Sequence, residues 1–314
     1  MNNIDIVIVN WSSGRQLLDA MMSLRQFAAN SIASVAIVDN ASVDDSLDLV
    51  AERDDWGFPV HLIRNAENRG FGAACNQGAG VGRAEFVLLL NPDTRVYENS
   101  LSIPLAFMQR SENAAVSVTG IQLIDETGHV QRACARFPSP AMFSAAAFGL
   151  DRLPWLRGQR LHMSDWDHAS TRDVDHVIGA FYLIRRSVFE RLGGFDERFF
   201  VYLEDLDLSL RVKQAGGRIV FLADAQAFHA GGGTSRQIKA TRLFYSLRSR
   251  LLYGFKHFSR VAAWALLVVT ILPEPITRTV FSAARGGMQD VGNTLRGYGM
   301  LLRSLPQILR ASRR

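Results

Sequence analysis

Three carboxylates lie close together near position 200: Glu204, Asp205 and Asp207. The apolar residues among them are spaced three and four apart, which predicts a helix over residues 203–215 with Glu204 and Asp205 in its first turn. The positive end of a helix dipole favours carboxylates there, and a carboxylate beside an apolar wall can be tuned to accept a proton. Proton abstraction is therefore one chemistry open to this stretch. The alternative is an acidic turn that only caps the helix.

The chain before this point alternates strand and helix patterns. Strands are predicted at residues 4–9, 34–38, 60–63 and 86–90, and helices at residues 14–28, 44–52 and 71–80. This alternation predicts an α/β fold with a mainly parallel sheet flanked by helices. Ligands bind such sheets beyond the carboxyl ends of the strands. The residues that follow these ends are Asn10, Asp39, Ser42, Asn68, Arg69, Gly70 and Asp93.

Each strand end suits a different part of a ligand. Asp39 comes directly after a buried strand, so it can accept a hydrogen bond from a ring N–H or a ribose hydroxyl. Gly70 allows close approach of a ligand to the backbone, and Arg69 can contact a phosphate or a base. Asp93, aimed by the turn at Pro92, suits a divalent cation that also holds a diphosphate. Turns and caps also use Asp and Asn, but four such ends in succession favour a binding site.

His229 follows a further predicted strand, at residues 219–222, and precedes a glycine-rich segment. This segment continues through Thr234, Ser235 and Arg236, whose hydroxyls and guanidinium could form an anion nest. A lone histidine is otherwise structural, and the sequence leaves both interpretations open.

Two common nucleotide sites are excluded by context. Glycines at positions 78, 80 and 82 follow a helix and precede a strand, whereas a dinucleotide loop needs the reverse order. The loop after the first strand has a single glycine, Gly14, and no lysine, so it is not a Walker loop.

The charge of the chain is divided unevenly. Residues 1–235 carry 21 Lys and Arg against 28 Asp and Glu, a net charge of −7, whereas residues 236–314 carry 14 against 2, a net charge of +12. A basic tail on an acidic body predicts that the tail meets an anionic surface. Because no basic leader precedes the first apolar run, we expect the body to stay in the cytoplasm. The two cysteines, Cys75 and Cys134, have neither metal nor redox spacing and suit a reducing compartment.

The tail is apolar as well as basic. The uncharged run at residues 261–272 is shorter than the roughly twenty residues that a spanning helix needs. Farther on, one predicted helical face carries apolar residues with arginines on its flank: Val291, Leu295, Tyr298, Leu302, Leu305 and Leu309, with Arg296, Arg303 and Arg310. This pattern predicts a helix in the membrane interface, or alternatively a helix packed on the body. Arms that bind nucleic acid are rarely so apolar, so we expect no nucleic acid partner.

In their order, these motifs resemble family 2 glycosyltransferases of the GT-A fold, close to the bacterial rhamnosyltransferase-like members. The resemblance implies a GT-A catalytic domain over residues 1–240, followed by a basic, hydrophobic helical tail over residues 241–314. The matching motifs are Asp39-Asn-Ala-Ser-Val-Asp44, Asn68-Arg-Gly-Phe-Gly72 with Asn76, Asn91-Pro-Asp93, Gly193-Gly-Phe-Asp196, Tyr202-Leu-Glu-Asp-Leu-Asp207, and His229 with the glycines after it.

The resemblance implies an inverting transferase that uses a nucleotide-diphospho-sugar, often dTDP-rhamnose or a UDP-sugar, with Mg²⁺ or Mn²⁺. Asp205 matches the catalytic base and has Glu204 beside it. Asp93 matches the last residue of the metal motif, whose first acid is Asn91 here, and His229 matches a metal or diphosphate contact. The donor contacts expected on this basis are Asn10, Asp39, Ser42, Asn68, Arg69, Gly70, Asn76, Asp93, Thr234, Ser235 and Arg236.

The expected acceptor is a hydroxyl of a glycan or of a polyprenyl-diphosphate-linked sugar, in cell-surface polysaccharide synthesis at the inner face of the cytoplasmic membrane. Two other hypotheses stay open. One is a catalytically silent nucleotide-sugar-binding module of a membrane assembly, although such a module need not keep the Glu204–Asp205 pair. The other is a nucleotidyltransferase, which should have a basic, glycine-rich loop after its first strand.

Overall fold

Continuous apolar runs in the first part of the chain form buried strands, because a strand covered on both faces needs apolar side chains on both. The computed structural model describes residues 3–150, 153, 160–231 and 239–311. The strands are β1 Ile4–Asn10, β2 Ile32–Asp39, β3 Val60–Arg64, β4 Phe86–Leu90, β5 Thr94–Val96, β6 Val116–Ile124, β7 Cys134–Ala135, β8 Arg172–Asp173, β9 His176–Val177, β10 Phe181–Arg185 and β11 Arg218–His229. The helices are α1 Arg15–Phe27, α2 Asp48–Ala51, α3 Phe71–Ala79, α4 Asn99–Gln109, α5 Pro140–Ala147, α6 Arg186–Arg191, α7 Glu204–Gln214, α8 Lys239–His257, α9 Arg260–Ile271 and α10 Pro273–Ala311.

The chain divides into two compact units. The sheet unit comprises Met1–Arg136, Trp166–Glu197 and Asp205–Thr234, and the helical unit comprises Phe137–Asp165, Arg198–Glu204 and Ser235–Arg314. Two segments before residue 235 belong to the unit that contains the C-terminal helices. The catalytic domain over residues 1–240 and the tail over residues 241–314 stay predictions. One division between units falls inside the first turn of α7, between Glu204 and Asp205.

The sheet unit contains the predicted α/β fold. The strand order of its large sheet is β3-β2-β1-β4-β10-β6-β11-β5, and β8 pairs with β11. Neighbouring strands from β3 to β4 are parallel, with Asn10 opposite Asp39 at the carboxyl ends of β1 and β2. Strand β10 is antiparallel to β4 and to β6, so the sheet is mixed beyond its parallel half.

Pairing between β5 and β11 brings together two predicted site residues. These strands are antiparallel, and His229 lies opposite Thr94, the residue after Asp93. The pairing therefore places the end of β11 beside the turn that follows β4.

The helical unit is built around α8. Helix α10 breaks at Gly287, whose φ of 70° is not helical. Its two halves then run back along each other, since Ser282 Oγ and Thr294 Oγ1 lie 3.0 Å apart across the break. The second half packs on α8, where a Cβ on Gly297 would lie 3.0 Å from the Leu243 side chain.

One predicted helix is wrong in its extent. The helix expected at residues 44–52 is only Asp48–Ala51, because hydrogen bonds to the Asp44 side chain hold the preceding residues in turns. Helix α5 has a clearer start, where the Ser139 hydroxyl caps its first turn.

The apolar face predicted at residues 291–309 is buried to different degrees along its length. Tyr298 is buried, whereas Leu295 and Leu302 are more than half exposed. Leu301 and Ile308 are fully buried, so another side of this helix packs within the helical unit. The membrane contact predicted for the face stays a prediction.

The apolar stretch of the tail is longer than the uncharged run at residues 261–272. The stretch continues past Pro273. Among the described residues, Arg260–Ala284 is the one helical stretch whose length and apolar composition would be sufficient to cross a membrane. Only 28% of its most apolar window is buried.

Candidate active site

Asn10 ties together the ends of β1 and β2. Its side chain is fully buried, and its amide nitrogen donates to Asp39 Oδ1 at 2.7 Å, Ser42 Oγ at 3.0 Å and Ser46 Oγ at 2.8 Å. Its amide oxygen accepts a hydrogen bond from Ser13 Oγ at 2.5 Å. Because protein groups engage both ends of the amide, Asn10 positions Asp39 and Ser42 at the sheet edge.

Asp39 is held at the carboxyl end of β2 by its own turn. Ser42 donates to Asp39 from its hydroxyl at 2.6 Å and from its backbone N–H at 3.1 Å. Asp44 follows in the same loop, and although burial alone would raise its pKa, hydrogen bonds from the Ser46 hydroxyl and the Gly14 N–H lower it. The loop thus forms a preorganised set of ionised and hydroxyl groups at one edge.

The segment after β3 is anchored through Asn40. The Asn40 amide donates to the Gly70 carbonyl at 3.1 Å, and its oxygen accepts from Asn65 Nδ2 at 2.9 Å. Asn68 Oδ1 accepts a hydrogen bond from Gly70 N–H, and Gly70 adopts a φ of 87° before α3. The Arg69 guanidinium is partly exposed and lies 4.0 Å from Glu197. The Arg69 guanidinium is therefore accessible to an anionic ligand, whereas the Asn40 side chain is engaged by protein groups.

Asn76 holds the glycine turn before α7. Its amide exchanges hydrogen bonds with the backbone of Phe195, at 3.0 Å and 2.8 Å. A Cβ on Gly194 would lie 2.3 Å from Asn76 Oδ1, which explains the glycine at this turn. The turn is also held by Arg211, which donates to the Gly194 carbonyl and to the buried Asp207 carboxylate. Asp207, the third acid of the motif, is thus structural, and a donor contact by Asn76 stays a prediction.

Asp93 and His229 meet, as the sequence predicted for two metal ligands. His229 Nε2 lies 3.4 Å from Asp93 Oδ1, and both side chains are about one-tenth exposed. Gln131 fixes the ring: its amide nitrogen donates to the His229 carbonyl at 2.6 Å, which turns its oxygen toward Nδ1 at 2.9 Å. Nδ1 therefore carries a proton, so Nε2 is the ring nitrogen that can present a lone pair toward Asp93.

This pair fits a divalent cation. A carboxylate oxygen and an imidazole lone pair face the same point, and Gln131 orients the imidazole in the manner of an outer-shell partner. Among the described residues, no group of three or more His, Cys, Asp and Glu converges on one point. A cation here would take two protein ligands and have room for oxygen atoms of a substrate.

Asp205 lies in the first turn of α7 and is one-fifth exposed. Its Oδ2 accepts a hydrogen bond from Gly179 N–H at 2.9 Å, and its Oδ1 accepts one from Leu206 N–H at 2.8 Å. Two backbone donors fix the position of this carboxylate, and a fixed, partly exposed carboxylate is suited to accept a proton from a substrate. Glu204, its neighbour, is 5% exposed, so Asp205 is the more accessible of the two acids.

The connection between β9 and β10 links the two acidic positions. Gly179 donates to Asp205, and the next residue, Ala180, accepts from Asn91 N–H at 3.1 Å in the turn that carries Asp93. A Cβ on Gly179 would lie 3.3 Å from Asp205 Oδ2. The candidate base and the candidate metal position thus share one backbone support.

A buried network that the sequence reasoning missed lies behind Asp205. His176 Nε2 is 3.6 Å from Asp205 Oδ2, and His176 Nδ1 shares a hydrogen bond of 2.8 Å with Ser209 Oγ. Ser209 Oγ is also 3.1 Å from the hydroxyl of Tyr182, whose pKa is raised by burial. The only sequence signal was that Ser209 comes four residues after Asp205, on the same face of α7. The network backs the candidate base with polar groups.

The remaining predicted donor contacts, Thr234, Ser235 and Arg236, lie outside the described residues. The anion nest expected from them stays a prediction.

The chain and its fold are similar to known glycosyltransferases. The profile of glycosyl transferase family 2 matches residues 5–193. The N-acetylglucosaminyl-diphospho-decaprenol L-rhamnosyltransferase of Mycobacterium tuberculosis is 28% identical over 80% of this chain and 83% of its own length. The O-antigen chain rhamnosyltransferase WbaN of Salmonella anatum is 22% identical over 76% of this chain and 69% of its own length.

Solved structures share the fold at low sequence identity. GalNAc-T7, solved with UDP, GalNAc and Mn²⁺, matches with a TM-score of 0.60 at 14% identity, over 99% of this chain and 58% of its own. The mannosyltransferase PcManGT of Pyrobaculum calidifontis, solved with GDP-Man and Mn²⁺, matches with a TM-score of 0.55 at 14% identity, over 99% of this chain and 86% of its own. The predicted GT-A fold and rhamnosyltransferase resemblance are confirmed.

Proposed function

Because this chain belongs to glycosyl transferase family 2, we propose that it moves a sugar, with rhamnose favoured, from a nucleotide-diphospho-sugar to a hydroxyl of a glycan or lipid-linked acceptor, with inversion. The observation that carries the proposal is Asp205, a partly exposed carboxylate fixed by two backbone N–H groups. Rhamnose and a lipid-linked acceptor are supported by the mycobacterial relative, whose name specifies both.

In the proposed reaction the acceptor hydroxyl oxygen attacks the anomeric carbon from the face opposite the diphosphate. The bond from that carbon to the diphosphate oxygen breaks, and the nucleoside diphosphate leaves with the electron pair. Asp205 accepts the proton of the hydroxyl as the new bond forms. A single displacement of this kind inverts the configuration and needs only one base.

Asp39 and Ser42 would hold the nucleoside, because they offer carboxyl and hydroxyl oxygens at the sheet edge. The exposed guanidinium of Arg69 would pair with phosphate. Asp93 and His229 would hold Mg²⁺ or Mn²⁺ beside the diphosphate. Such a cation, when bound, neutralises charge that develops on a departing diphosphate.

The site of action in this proposal is the inner face of the cytoplasmic membrane, where a polyprenyl-diphosphate-linked acceptor would present its head group. The net charge of +12 after residue 235 supports attraction to an anionic leaflet.

A panel of dTDP-, UDP- and GDP-sugars tests the proposal, with release of nucleoside diphosphate measured with Mg²⁺, with Mn²⁺ and with a chelator. We expect one donor to be hydrolysed slowly by the full chain and much faster once a lipid-linked acceptor is added. Tight binding of a donor with no turnover under any of these conditions would instead favour the silent binding module.

A further inference from the structure

An exposed apolar stripe runs along the helical unit from α9 into the first half of α10. Its members recur every three or four residues and are between 48% and 82% exposed, and they are Val261, Trp264, Val268, Leu272, Ile276 and Val280. At about 1.5 Å per residue, this stripe is about 30 Å long. A stripe of this length is unusual on a surface that faces only water.

The opposite face of the same helices is fixed by buried charge. Glu274 is fully buried, and its carboxylate accepts hydrogen bonds from Arg250 on α8 and, at 2.8 Å, from Arg278 Nε. Arg250 also donates to Thr270 Oγ1 at 2.9 Å. Burial alone would lower the pKa of Arg278, but the Glu274 carboxylate raises it overall. The hydrogen bonds of this cluster hold the face against α8.

The two acids of the basic tail are both engaged by basic residues of the tail. Residues 236–314 contain two acids, Glu274 and Asp290. Glu274 is paired within the buried cluster, and Asp290 forms an ion pair with Lys239 at 2.9 Å. Exposed arginines stand next to exposed leucines on the second half of α10, at Leu295-Arg296 and Leu302-Arg303.

We propose that the stripe from Val261 to Val280 lies flat in the surface of an anionic lipid bilayer. Apolar side chains suit the acyl boundary, and uncompensated arginines suit acidic head groups, so the two signals needed for stable peripheral binding are both present. The purpose of this binding, to bring the active site within reach of a lipid-linked acceptor, rests on the proposed function. The binding itself does not depend on that function.

The buried cluster favours a helix in the plane of the interface over one that crosses. Spanning by this stretch would carry Glu274 into the hydrocarbon region and remove it from Arg250, which would leave charges without their partners. In the in-plane arrangement the cluster stays inside the protein while the stripe meets lipid.

Sedimentation with vesicles tests the proposal on the full chain. We expect binding to vesicles of phosphatidylglycerol and phosphatidylcholine at low salt, with a blue shift of tryptophan emission that is lost in Trp264→Phe. Binding to pure phosphatidylcholine should be weaker by at least about fivefold, the effect of a single basic group near an anionic leaflet. Replacement of both Arg296 and Arg303 by Gln should reduce the difference in affinity between the anionic and the neutral vesicles.

Matched variants separate this stripe from general hydrophobicity. The double variant Val268→Ser with Ile276→Ser should lose at least about tenfold in vesicle affinity, because each apolar side chain leaves the acyl boundary. The control, Leu62→Ser with Val81→Ser, changes two exposed apolar residues of the sheet unit and should stay within about twofold, since neither lies in the basic tail. Circular dichroism checks that both variants are folded.

Three results would overturn the proposal: equal binding to neutral vesicles, equal loss in both double variants, or protein that stays in the membrane after alkaline carbonate, which would indicate a spanning helix. A dimer that the stripe variant dissociates, with vesicle binding unchanged, would assign the stripe to a second copy instead. Donor hydrolysis in detergent-free solution is measured in parallel. Vesicle binding without any hydrolysis of the donor would support the stripe as a membrane-binding surface and contradict the proposed function.

Discussion

The two units of this protein differ in where their acids lie and in whether exposed apolar residues form a continuous stripe. The sheet unit buries its apolar strands and gathers acids and amides at one sheet edge, where Asp39, Asp93 and Asp205 are each held by neighbouring groups. The helical unit buries a charge cluster around Glu274 and leaves Trp264 and its neighbours exposed. Buried charge is costly unless it is paired, whereas exposed apolar surface is costly only in water. The membrane surface proposed above would make the exposed stripe of the helical unit less costly.

The largest expected effect is at Asp205, the residue on which the catalytic half of the comparison depends. Asp205→Asn keeps the shape of the side chain but removes the proton acceptor, so kcat should fall about 10²- to 10⁴-fold. Donor affinity, measured by calorimetry, should be nearly unchanged. Turnover close to that of the wild type would exclude Asp205 as the base.

Glu274 tests whether the buried charges of the helical unit are essential to its fold. Glu274→Gln leaves Arg250 and Arg278 without their carboxylate and should lower the free energy of unfolding by about 3–5 kcal/mol. The control, Asp290→Asn, removes an exposed partner of Lys239 and should cost no more than about 1 kcal/mol. Urea unfolding measures both, and equal losses would mean that burial does not distinguish the two acids.

Asp93 tests whether the sheet edge binds phosphate through a cation. Asp93→Ala should weaken binding of the nucleoside diphosphate by at least about tenfold, since interactions with charged groups are worth about 1.5–3 kcal/mol. Binding of the bare nucleoside should change much less. Calorimetry with excess Mn²⁺ compares the two ligands, and an equal loss for both would contradict the metal role.

The smallest expected effect is at His176. This residue tests whether a buried polar group of the sheet unit positions Asp205 rather than only stabilising the fold. His176→Phe should lower kcat by up to about tenfold through misplacement of Asp205, with KM for the donor little changed. His176→Gln keeps a donor near Asp205 and should recover part of the loss. A change in unfolding free energy with kcat intact in both variants would make His176 purely structural.

Much of the sheet unit could be predicted because its signals are local. A strand covered on both faces needs a continuous apolar run, and the polar residue after each run falls at the ligand-binding edge whatever the rest of the chain does. Asp39 and Asp93 lie at or just after such strand ends. The extent of α2 could not be predicted, since hydrogen bonds to Asp44 compete with the helix that its sequence favours.

What the sequence determined by itself was the set of strands and turns, the order of the motifs and hence the family, and the uneven charge of the two ends. Only the tertiary structure decided which distant groups meet: His229 reaches Asp93 because β11 pairs with β5, and Asp205 acquires Gly179 and His176 because β9 and β10 pass beside α7. It also decided that Glu274 is buried and that residues 261–280 present an apolar face. The reason is physical: periodicity and turn chemistry act over a few residues, whereas strand pairing and the burial of a charge depend on partners far away in the chain.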